Sequence, residues 1–87
     1  MKLDEDSSAD SFFEDLLHAV DQQLESKDTP FVKKTYDRLV GEGLEEEQAK
    51  ELIAQCLAEE SDRMFRSQKP FDMESYRTSL EMIKPEG

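Results

Sequence analysis

The stretch "YDRLVGEGLEEEQAKELI", residues 36–53, decides the fold. Two apolar helical faces meet there across a corner of a few residues. Tyr36, Leu39 and Val40 end one face, and Ala49, Leu52 and Ile53 begin the next. Between them Gly43 can enter the left-handed backbone conformation without a Cβ penalty. Leu44 then occupies the second position beyond the helix, where a Schellman turn brings it against Leu39. The same leucine can staple forward to Ala49 as the next helix starts. Glu45, Glu46 and Glu47 follow, and acidic residues in a first helical turn complement its dipole. The reading is helix, tight corner, helix.

Working outward, the apolar period stays helical and no stretch alternates as a strand would. Upstream, Phe13, Leu16, Leu17, Val20 and Leu24 form one stripe, which predicts a helix from Phe12 to Ser26. Ser11 and Glu14 have capping-box spacing, so Ser11 is predicted as its N-cap. "SKDTP" ends this helix, Thr29 caps the next, and Pro30 takes the first helical position, where a missing N–H costs nothing. Val32, Tyr36, Leu39 and Val40 are the predicted buried face. Downstream, the third helix runs from Glu46 to Ser67 with Ala49, Leu52, Ile53, Cys56, Leu57 and Met64 inward. Glu46–Lys50, Glu59–Arg63 and Asp62–Arg66 have ion-pair spacing on its outer side. "KPFD" breaks it, Asp72 caps a fourth helix, and Phe71 and Tyr76 hold the two positions of a hydrophobic staple. Met73, Tyr76, Leu80 and Ile83 continue the stripe to Pro85.

The fold class is therefore all-α: a compact bundle of four helices joined by short turns, with helix 3 longest and central. Residues 1–10 are acidic, serine-rich and poor in apolar residues, and read as a disordered N-terminal tail. Residues 11–85 read as a single helical domain. No internal repeat is present.

The chain has 87 residues, with 22 acidic against 11 basic side chains and a formal net charge of −11. Such a surface repels nucleic-acid phosphates and anionic lipid, so direct nucleic-acid or membrane binding is not expected. No apolar run approaches the roughly 18 residues of a membrane span. "MKLDEDSSAD" lacks the basic and apolar regions of a signal peptide. One cysteine cannot staple the fold. A cytoplasmic location follows as the expectation.

Chemistry-bearing motifs are few. "ADSFFEDL" resembles the Asp-Ser-Leu motif of acyl carrier proteins, which would make Ser11 the attachment point of a phosphopantetheine arm. In that family a whole helix and a long loop precede the serine, whereas here ten polar residues do, and Phe12 replaces the leucine. The helix-cap reading leads. His18 is the only histidine. Glu14, His18 and Asp21 share one face of helix 1 and could offer two or three metal ligands, with Glu59 or Glu60 completing the set if helix 3 lies alongside. A chain this rich in carboxylates places some Glu near any His by chance, so the bland reading leads again. No Gly-rich phosphate loop, metalloprotease motif, EF-hand or catalytic dyad is present, and no cofactor is expected. Cys56 lies on the inward stripe and reads as a small buried hydrophobe.

Residues 36–53 are similar to the first two helices of ubiquitin-associated domains, but helix 3 continues for about six turns where that family has a short second helix. A broader likeness runs through His18, Gln22, Pro30, Tyr36-x-x-Leu39, Gly43, Ala49, Ile53, Phe71-Asp72, Tyr76, Leu80 and Pro85. Over residues 18–85 the chain resembles small all-helical bacterial proteins of unknown function. That resemblance implies a helical bacterial domain and no activity.

Phe12 points differently from Phe13, and Phe65 from Met64, so one ring of each pair is predicted to lie outside the core. With Leu3 or Met82 these rings could form a patch. The leading functional expectation is a non-catalytic protein–protein interaction domain that self-associates as a homodimer or binds a protein partner. The alternatives are a His18-centred metal-binding or enzymatic domain, and an acidic nucleic-acid mimic that binds a basic protein.

Overall fold

Backbone hydrogen bonding closes the decisive corner. In a computed structural model that describes the backbone of residues 3–84 and the side chains of residues 12–84, Gly43 has φ +111°. The Leu44 amide donates to the Leu39 carbonyl at 3.1 Å, and the Gly43 amide donates to the Val40 carbonyl at 3.0 Å. These are the two bonds of a Schellman turn. On the far side, the Glu45 amide donates to Gln48 Oε1 at 3.1 Å, so the first turn of the next helix is held from within.

The four helices are α1 (Leu3–Glu25), α2 (Pro30–Gly41), α3 (Glu46–Ser67) and α4 (Met73–Glu81), with no strand among the described residues. α3 is the longest helix whose every side chain is described, and it packs against the other three. α2 also contacts every other helix, whereas the α1 and α4 backbones stay apart and meet through side chains. Leu16, Val20, Val32, Ile53, Ala54, Leu57, Tyr76 and Leu80 form one buried cluster drawn from all four elements. Tyr76 is its largest member: Phe31 and Phe71 meet its ring edge-on, with centroids 5.9 and 5.6 Å away. Its hydroxyl donates to Gln23 Oε1 at 2.7 Å and so ties α4 to α1 across the core. The Phe71–Tyr76 staple forms as predicted, and the Asp72 carboxylate caps α4 by accepting from the Glu74 and Ser75 amides.

Several local expectations are corrected. α1 begins at Leu3 and includes residues 3–10, which the sequence reads as a tail outside the domain. Ser11 therefore lies inside a helix and is not the N-cap of one starting at Phe12. Extending a formed helix adds one backbone bond per residue and requires no apolar side chain, and acidic residue types suit an N-terminal turn. Thr29 stands at the N-cap of α2 without capping it; its hydroxyl donates backwards to the Gln23 carbonyl at 2.9 Å, closing the end of α1 instead. α4 ends at Glu81, before Ile83. On α2, Thr35 is buried, with its hydroxyl bonded to the Phe31 carbonyl, while Tyr36 and Val40 are half-buried.

Lys50 does not pair with Glu46 but with Asp21 on α1, at 2.8 Å. Arg63 does not pair with Glu59 but with Glu60, at 3.2 Å. Only Asp62–Arg66 forms as its spacing predicts, at 3.1 Å and well exposed on both sides. No described helix is long and apolar enough to cross a membrane.

Candidate functional site

The residues singled out from the sequence fall into two groups. Glu14 and His18 are exposed on α1, and the Asp21 carboxylate is engaged by the Lys50 ammonium. That bond raises the Lys50 pKa above its ordinary value against a smaller opposing effect of burial. Among the described residues no three His, Cys, Asp or Glu side chains are gathered to hold a metal ion. Glu60, a suggested completing ligand, is fully buried and faces α4. The interaction residues stand otherwise: Phe12 is 58% exposed, Phe65 75% and Met82 71%, while Phe13 and Met64 are half-buried. Met73, placed in the core stripe by its spacing, is also exposed, at 45%.

Two polar arrangements escaped the sequence reading. The first sits between α3 and α4. Ser75 Oγ donates to the Glu60 carboxylate at 2.6 Å, and the Arg63 guanidinium reaches both Glu60 and Ser75 Oγ, the latter at 3.0 Å. A buried carboxylate needs such partners, since an unpaired one would cost several kcal/mol. Burial, with the Glu59 and Glu60 carboxylates adding, pushes the Cys56 thiol up to about 11. Burial also raises the Tyr76 phenol well above its usual range. Neither group is activated for nucleophilic or acid–base work at neutral pH. In the second arrangement Arg38 of α2 donates to the Leu80 and Ile83 carbonyls, at 3.1 and 3.2 Å. A cation is thus placed at the C-terminus of α4, whose own last turn has none.

A concavity of about 640 Å³ lies at the α2–α3 corner. Its apolar lining comes from Leu17 of α1, Val40 of α2 and Leu44 of the turn, all half-buried. Glu45, Glu46 and Glu47 form one rim, and the Asp21–Lys50 bridge forms another. A smaller hollow of about 410 Å³ lies beyond that bridge, against Leu24, Tyr36 and Lys33. The groove brings together residues from three elements, and only the acidic run at 45–47 is visible as a sequence motif. It is open, apolar below and acidic above, and contains no nucleophile–base pair.

Comparison with protein-family models, with curated proteins and with solved structures finds no match to this chain.

Proposed function

We propose that the chain is a non-catalytic helical interaction module that acts in the cytoplasm by associating with a protein partner or with a second copy of itself. The exposure of Phe12 and Phe65 carries this reading. The described core closes around Tyr76, Leu39, Ile53 and Leu80 without them, and both rings remain mostly in water. Large aromatic side chains are energetic anchors in protein interfaces, where they are enriched over the rest of the surface. The two helices that bear them, α1 and α3, pack on each other.

Light scattering at several concentrations, combined with quantitative mass spectrometry of a lysate pull-down, tests the reading. Concentration-dependent mass, or a partner lost when Phe12 and Phe65 are replaced by serine, supports it. A strict monomer that enriches no protein over an equally acidic control overturns it.

A further inference from the structure

Resting on the interaction reading, we infer that the groove at the α2–α3 corner is the docking site for a basic, amphipathic segment of a partner protein. Leu17, Val40 and Leu44 provide an apolar floor that keeps some exposure in the folded chain. Four carboxylates against one ammonium line the groove, leaving three net negative charges. The single ammonium, Lys50, is already held by Asp21 at 2.8 Å. Glu46, whose spacing would have paired it with Lys50, makes no ion pair among the described residues, and neither do Glu45 and Glu47. An apolar strip flanked by unneutralised carboxylates complements a segment with leucine-type side chains on one face and lysine or arginine beside them.

Two other occupants fit less well. A divalent cation needs carboxylates converging on one point, and the described residues contain no such cluster. A second copy would bring another eleven net negative charges. Its cations are also largely committed: Lys33, Arg38, Lys50, Arg63, Arg66 and Arg77 are already in ion pairs. The four remaining described lysines come from four separate segments: Lys27 from the α1–α2 connection, Lys34 from α2, Lys69 from the α3–α4 connection and Lys84 from beyond α4.

The test uses a fluorescein-labelled helical peptide with leucines on one face and lysines on the other, titrated by anisotropy and mapped by amide NMR. Saturable binding with shifts concentrated at Leu17, Val40, Leu44 and Glu46 is expected. Reversing the rim in a Glu46→Lys/Glu47→Lys variant is expected to weaken binding by about tenfold or more at low salt. A Glu59→Lys/Glu74→Lys variant, with the same change in net charge away from the groove, is expected to stay within about threefold, the residue of general attraction. The milder Glu46→Gln/Glu47→Gln pair gives the same direction if the reversal disturbs the first turn of α3. Equal weakening by the two Lys variants, shifts mapping to Phe12 and Phe65, or no binding would each overturn the proposal. The interaction reading fails separately: it stands if association depends on Phe12 and Phe65 while the peptide leaves the groove untouched.

Discussion

The α2–α3 corner and the α3–α4 junction solve the same problem with different atoms. Both reverse the chain between packed helices. At the first, main-chain groups make the closing bonds, with Gly43 at φ +111° and the Leu44 amide on the Leu39 carbonyl. At the second, Gln68 takes the left-handed position at φ 57° with no glycine's freedom, and side chains complete the closure. Glu60, Arg63 and Ser75 bond one another, Asp72 caps α4, and Phe71 covers Tyr76. The difference bears on function. The junction closed by backbone leaves Glu45, Glu46 and Glu47 outside any ion pair among the described residues along an open groove, whereas the one closed by side chains uses Glu60 and Arg63 internally. The proposed docking groove therefore lies at the corner, and the buried polar network lies at the junction.

The comparison can be broken most severely at Tyr76. Tyr76→Ala removes a fully buried ring with two aromatic neighbours, and urea denaturation should show a loss of about 3–5 kcal/mol. Glu60→Ala leaves the Ser75 hydroxyl without its acceptor and a void beneath it. The same measurement should show a loss of about 2 kcal/mol, with Arg63 returning to solvent. At the corner, a Cβ on residue 43 meets no neighbouring atom, so only backbone strain opposes it. Gly43→Ala should cost about 1–2 kcal/mol and leave the Tyr76 environment unchanged in near-ultraviolet circular dichroism. Gln68→Gly makes the junction more like the corner and should stabilise it by about 0.5 kcal/mol, read as a higher urea midpoint.

The smallest effect is an alkaline pH dependence, to which Cys56 contributes first and the raised Lys50 on the corner side adds above its ordinary 10.5. The Cys56 thiol is raised from 9.0 to about 11, so the folded state favours its neutral form. That contribution is complete below about pH 9, where the unfolded thiol is also protonated. It is lost as pH rises toward 11, because only the unfolded chain releases the proton. Tyr76 extends the loss in the same direction at still higher pH. Stability measured from pH 8 to 11 should fall, and Cys56→Ala should remove the earlier part of the decline.

The corner was legible in the sequence because its bonds are local: a glycine, a following leucine and an acidic turn lie within a few residues. The Asp72 cap and the Phe71–Tyr76 staple were legible for the same reason. Glu60 was not, because its partner Ser75 stands fifteen residues away on another helix. The expected Glu46–Lys50 pair failed in the same manner, since a carboxylate from α1 lay closer than the one a turn behind. Asp62–Arg66 held where both side chains face solvent. The start of α1 was hidden because helical backbone at residues 3–10 leaves no apolar signature. The groove was hidden most fully, as its floor comes from three separate elements. Phe12 and Phe65 were legible as exposed because each adjoins a second large apolar residue that the helical period turns inward.

Arg38 has a consequence for the order in which the molecule can come together. α4 has nine residues, fewer than the dozen or so at which an isolated helix becomes even marginal in water. The Leu80 carbonyl in its last turn and the Ile83 carbonyl just beyond it accept from a guanidinium that lies more than forty residues earlier in the chain. α4 is therefore a dependent element: backbone bonds from Met82 and Ile83 close its last turn, but that end gains its cation only once α2 is in place, while α2 keeps its own backbone bonds and Schellman turn without it. Loss of α4 alone would uncover Phe31 and leave α1, α2 and α3 with the interfaces they share. The smallest helix is thus the natural unit of partial opening, and Arg38 is the latch that closes it.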